Sequence, residues 1–124
     1  MQSITIKDKD GTNVVFEVVR QPSANVSAIL YQKSTDPTMN RTGLVKIELS
    51  SRIADGKTTP TATVTVPYGA VKDGSFVKLG QVAEVRSASQ PANTPAAARF
   101  NASAFARNLN SDPQVIALFD NGVI

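Results

Sequence analysis

A chain of 124 residues fits one domain, by the prior of roughly 100–200 residues per domain. Its 41% hydrophobic and 19% charged residues allow a packed core, and a net charge of +3 permits a polyanionic partner without demanding one. With no Cys and no His, the sequence excludes disulfides, zinc–thiolate sites, cysteine nucleophiles, Ser-His-Asp arrangements and H-E-x-x-H metal centres.

The first residues, MQSITIKDKDG, carry four charges and no apolar run, so they do not read as a secretory signal. No apolar run approaches the ~18–20 residues that a membrane helix needs. Asn25, Asn40 and Asn101 head N-x-[ST] triplets, which read as chance matches in a chain rich in Asn, Ser and Thr.

Up to Pro91 the apolar pattern has period two, which predicts strands. Ile4 and Ile6 alternate with Thr5 and Lys7, and Asp10-Gly11 signals a hairpin. Val14, Phe16 and Val18 form the second strand, broken by Gln21-Pro22-Ser23. Val26, Ala28 and Leu30 make a third, followed by a polar loop over 34–43. Val45, Ile47 and Leu49 then alternate with Lys46, Glu48 and Ser50. After the turn Ala54-Asp55-Gly56-Lys57, Ala62, Val64 and Val66 alternate with Thr61, Thr63 and Thr65. Each of these two strands has one apolar and one polar face, as in an antiparallel sheet covered on one side. Pro67-Tyr68-Gly69 is expected to end the hairpin, with a loop running through Asp73-Gly74. A sixth strand is expected over roughly 77–89, with Ala83 and Val85 on one side and Val82, Glu84 and Arg86 on the other.

After Pro91 the pattern turns helical. Thr94-Pro95 reads as an N-cap followed by Pro at the first helical position. The Ala-rich run from Ala96 to Leu109 follows, with Phe105 and Leu109 four apart on one face and Phe100 flanking it. Asp112-Pro113 repeats the cap signal ahead of a short helix bearing Val115, Ile116, Leu118 and Phe119, which stops at Asn121-Gly122. The fold class is therefore α+β: a six-stranded antiparallel sheet followed by two C-terminal helices. A helix of about sixteen residues spans only ~24 Å, too little to cover one wide sheet. The shortfall points to an obligate oligomer.

No arrangement of catalytic residues emerges. Asp8-x-Asp10-Gly11 hints at a calcium loop, but Asn13 and Val19 stand where the EF-hand pattern needs Gly and Glu. The seven Gly form no phosphate-binding loop. The Thr alternation also suits any solvent-exposed strand, and Lys46 beside Glu48 also reads as a solvated charge pair. Phe100, Phe105 and Leu109 read as packing residues.

The order and spacing of these pieces resemble the coat proteins of the single-stranded RNA bacteriophages, the leviviruses. The resemblance covers nearly the whole chain. It rests on the N-terminal hairpin at Asp10-Gly11, the Asn25-Val26-Ser27-Ala28 strand start, the hairpin from Leu44 to Pro67, Gln81-Val82-Ala83-Glu84-Val85 and the two C-terminal helices. It implies a single coat-protein domain, with a sheet over 1–90 and a helical dimerisation segment over 93–122. The implied homodimer packs each subunit's helices, through Phe100, Phe105, Leu109 and Ile116, on the partner's sheet. Dimers would close into an icosahedral shell in the bacterial host cytoplasm and reside in the virion.

The resemblance further implies that the inner sheet face binds single-stranded genomic RNA, including a stem-loop whose binding represses replicase translation. The residues it implicates are Lys46, Glu48, Ser50, Thr61, Thr63, Thr65 and Glu84, with Val82 where relatives often carry a stacking aromatic. Arg41, Arg52 and Lys57 add charge near the hairpin ends. Glu48 and Glu84 set carboxylates on a face meant for phosphate. The expectation is thus a structural, RNA-binding capsid subunit and not an enzyme, with no cofactor, metal, membrane or small-molecule substrate. The alternative is a non-viral nucleic-acid-binding β-sheet module.

Overall fold

A computed structural model describes residues 1–123, in two compact units. The first, Met1–Ser89, is an antiparallel meander of six strands in sequence order: β1 (Ile4–Lys7), β2 (Asn13–Arg20), β3 (Ala28–Gln32), β4 (Lys46–Ala54), β5 (Lys57–Lys72) and β6 (Ser75–Ser87). The second unit begins at Gln90. It holds a two-residue strand, β7 (Gln90–Pro91), then α1 (Ala96–Leu109) and α2 (Pro113–Asn121). The expected class, six antiparallel strands followed by two helices, is what the chain adopts.

The register explains why alternation was so informative. Ile47 pairs with Leu30 and Val64, and Leu30 pairs with Val18, so the apolar residues of successive strands fall on one face. On that face Phe16, Ala28, Leu30 and Ile47 are buried, with Ile4, Val14, Val18, Val45 and Leu49 packed against them. Burial is concentrated on β1–β4. On β5 and β6 the same face is open: Val66 is 44% exposed and Val82 is 57% exposed.

The turns follow from residue chemistry. Asp55-Gly56 and Asp73-Gly74 have positive φ at both residues, as a two-residue I′-type hairpin turn requires. At the first hairpin the Asp8 carboxylate accepts from the backbone N–H groups of Asp10 and Thr12, at 2.9 and 3.0 Å. The Asp8-Asp10-Gly11 pattern is therefore a turn whose acidic side chain is used by the backbone.

Four local expectations need correction. Strand β5 does not end at Pro67-Tyr68-Gly69 but runs to Lys72, and Asp73-Gly74 is a tight turn instead of the tail of a loop. Beyond Thr65 the strand β5 has lost its β4 neighbour and pairs only with β6, so Pro67 withholds no hydrogen bond from a strand on its other side. Strand β3 starts at Ala28 instead of Val26, because Asn25 takes φ 60° and Ser23 and Val26 bridge across a tight turn. The polar segment 34–43 ends in a 3-10 turn, Arg41–Gly43, capped by the Asn40 side chain accepting from the Thr42 N–H. Thr94 does not cap α1: its hydroxyl donates to the Pro91 carbonyl, and Pro95 occupies the N-cap.

Helix α2 is capped as the sequence predicts. The Asp112 carboxylate accepts from the backbone N–H groups of Gln114 and Val115, Pro113 opens the helix, and Gly122 closes it at φ 75°. Neither helix buries a residue. Phe100 and Phe105 are each 69% exposed, and Leu109 and Ile116 are also exposed. No helix among the described residues is long and apolar enough to cross a membrane.

Candidate nucleic-acid interface

The face opposite the core is polar, and the β4–β5 hairpin builds its centre. Lys46 stands across from Thr65, Glu48 from Thr63, Ser50 from Thr61 and Arg52 from Thr59, with Lys57 at the hairpin end. A strand's two-residue period forces these side chains to one side once Ile47, Leu49, Ala62 and Val64 turn to the other. Strand β3 extends the face through Ile29 beside Glu48 and Tyr31 beside Lys46. Strand β6 extends it through Ala83, Val85 and Ser87, which face Thr65, Thr63 and Thr61. The hydroxyls of Thr61 and Ser87 lie 3.4 Å apart.

Glu84 does not belong to this set. It pairs with Val64, on the apolar face, because β6 meets β5 in a register that puts Ala83 and Val85 beside the Thr residues. Val82 pairs with Val66 and lies on that apolar face too, so neither residue reaches the polar surface. Of the residues implicated at the outset, Lys46, Glu48, Ser50, Arg52, Lys57, Thr61, Thr63 and Thr65 share one face, and Glu84 is separated from them by the sheet.

Electrostatically the centre is a close ion pair. The Lys46 ammonium lies 2.7 Å from the Glu48 carboxylate, both side chains about one-third exposed (31% and 36%). The hydrogen bond to Glu48 raises the Lys46 pKa above its usual value and outweighs the opposing effect of partial burial. Lys46 is therefore fully charged at neutral pH, but part of its field is spent on Glu48. Arrays of hydroxyls with a few fixed cations hydrogen-bond well to unpaired bases and phosphates. They offer no nucleophile–base pair. Among the described residues no group of His, Cys, Asp and Glu is placed to hold a metal ion.

The structure adds residues that the sequence pattern did not assign to this face. Tyr31, Lys78 and Gln81 join Arg41 and Lys46 around an open depression at the end of the sheet face. The Arg41 guanidinium lies over the Tyr31 ring, 4.9 Å from its centroid. The alternation of Ala28 and Leu30 inward would have placed Tyr31 outward. Nothing local would have brought Arg41 and Lys78 together, since only the strand order does so.

No family model matches the sequence, and no curated protein matches it. Solved structures do match. A chain of the virus-like particle of Beihai levi-like virus 21 superimposes with a TM-score of 0.86 at 11% identity, over 100% of this chain and 96% of that one. The bacteriophage GA capsid protein gives a TM-score of 0.68 at 17% identity, over 97% of this chain and 94% of that one. An unassembled bacteriophage coat-protein dimer that binds RNA gives 0.59 at 18% identity, over 99% and 95%. Each match spans nearly the whole of both chains, and on that basis the chain has the fold of the RNA bacteriophage coat proteins.

Proposed function

We propose that this chain is a capsid subunit that dimerises, closes with other dimers into an icosahedral shell and binds genomic RNA on the polar sheet face. One observation carries the reading: apolar surface is left open in both units. Val64, Val66 and Val82 are exposed on the core face of β5 and β6, and Phe100, Phe105, Leu109 and Ile116 are exposed on the helices. A second copy covers both, with residues 93–122 as the dimerisation segment of a single coat-protein domain whose sheet spans 1–90. Burying exposed apolar area is favourable by roughly 25 cal/mol per Å², and an uncovered surface of this extent marks an interaction site.

The RNA reading is supported by the Thr and Lys face on β4 and β5 and by the net charge of +3. On the same face a stem-loop of the phage's own RNA binds and represses replicase translation. Thr61 and Thr63 act at bases, Lys46 at phosphate, and Glu48 either restrains Lys46 or accepts from a base amine. The protein works in the virion, after assembly in the host cytoplasm, and carries no catalysis.

The test is expression in a heterologous bacterium, nuclease treatment and sedimentation. The expected result is fast-sedimenting particles that protect RNA. A stable monomer at micromolar concentration, or particles with the ultraviolet spectrum of pure protein, overturns the proposal.

A further inference from the structure

We infer that the depression bounded by Tyr31, Arg41, Lys46, Thr65, Lys78 and Gln81 is a binding subsite for one unpaired nucleotide of single-stranded RNA, its base stacked on the Arg41–Tyr31 pair and its phosphate held by Lys78 and Lys46. This rests on the reading of the polar sheet face as the RNA surface and extends it to residues outside the hairpin ladder.

The first support is charge. Three cations, Arg41, Lys46 and Lys78, line the depression, and no carboxylate does. Lys46 is paired with Glu48, which lies outside the lining. Among the described residues Arg41 and Lys78 are in no ion pair, and the Lys78 ammonium donates to the neutral Gln81 side chain at 2.5 Å. A concave site with fixed positive charge and no acid favours an anion over any neutral ligand.

The second support is the stack. The Arg41 guanidinium sits over the Tyr31 ring at 4.9 Å, within the range of a cation–π contact. The pair brings a guanidinium and an aromatic ring together before any ligand arrives, and these are the groups on which unpaired RNA bases stack. The position is fixed by the fold. Tyr31 is pinned beside Lys46 by strand pairing, and Arg41 lies in a 3-10 turn held by the Asn40 cap. The β5–β6 hairpin that carries Lys78 is tied to the same loop, because Phe76 donates its backbone N–H to the Thr38 carbonyl and accepts from the Asn40 amide.

The third support is size. The depression holds about 330 Å³, at the small end of ligand sites, which run roughly 300–1,000 Å³. That suits one nucleotide and not a duplex, whose base faces are hidden in the stack.

The test uses the unassembled full chain and two fluorescent probes of equal length, a short oligoadenylate and an abasic oligomer with the same phosphates. Arg41→Lys keeps the charge and loses the plane; Tyr31→Leu removes the ring under it. Each is expected to weaken oligoadenylate binding by roughly tenfold or more while leaving abasic binding within about twofold. Lys78→Gln is expected to weaken both probes and to lower the salt slope by roughly 0.7. If Arg41→Lys and Tyr31→Leu bind oligoadenylate as the unaltered chain does, or lose both probes equally, the subsite is overturned while the RNA face stands. If the unaltered chain binds neither probe, the RNA face itself falls and the subsite with it.

Discussion

Lys46 and Glu48 sit two residues apart on one strand, and the period of two puts them side by side on the polar face at 2.7 Å. Removing the carboxylate frees the ammonium and deletes a charge that repels phosphate. Glu48→Gln should therefore tighten non-specific RNA binding, whereas Lys46→Ala should weaken it for every sequence and lower the salt slope by roughly 0.7–0.9 for each phosphate it no longer neutralises. Filter binding over a salt series measures both. The same pair sets a pH dependence of stability. Glu48 raises the Lys46 pKa in the folded chain, so the contribution of the pair is complete below the usual lysine value of 10.5 and is lost as pH rises through the raised value. The difference in urea midpoint between wild type and Lys46→Met should be constant from neutral pH to about 10 and shrink above it, with a total of about 0.2–1 kcal/mol for so exposed a pair. At this scale the sequence was legible wherever alternation was unbroken. Lys46, Glu48 and Ser50 fall on one face with Thr61, Thr63 and Thr65, as the alternation predicts. Glu84 does not, because a strand with apolar residues at Val82, Ala83 and Val85 shows no face preference, and only its pairing with β5 decides.

The elements differ in what holds them. The β4–β5 hairpin is fixed by Asp55-Gly56 and by the match of two alternating strands, all visible in the sequence. The extension of β5 and β6 beyond it was hidden, because Pro67 and Gly69 look like strand breakers when the absence of a neighbour on one side is unknown. Gly69 is there for a packing reason: a Cβ at that position would lie 2.0 Å from the Val77 carbonyl oxygen, at the register shift that follows Tyr68. Gly69→Ala should force the hairpin apart and destabilise the chain by about 1–3 kcal/mol, with faster hydrogen exchange along 69–78 as the local readout. Helix α2 depends on its cap. Asp112→Ala leaves the Gln114 and Val115 N–H groups without their acceptor and should cost about 1 kcal/mol. Circular dichroism and thermal melting of the full chain check it. The helices themselves were legible to the residue, since Ala-rich composition, Pro at the start of α2 and Gly after its end all agree. Only the Thr94 cap failed, where the hydroxyl found the Pro91 carbonyl instead.

For the whole molecule the decisive feature is how little one copy buries. Among the described residues the buried apolar core is Phe16, Ala28, Leu30 and Ile47 on the second to fourth strands, and neither helix has a fully buried residue. If a second copy covers this open apolar surface, as proposed, mutations at exposed apolar residues should act on assembly before they act on the fold. If Phe105 is covered by a second copy, Phe105→Ala should cost roughly 3–5 kcal/mol and abolish the dimer. The most direct measurement of the central claim is electron microscopy of the purified full chain. Closed, uniform particles built from dimers are the predicted result. A homogeneous 13.1 kDa monomer, with no particles at micromolar concentration and low salt, would contradict the account.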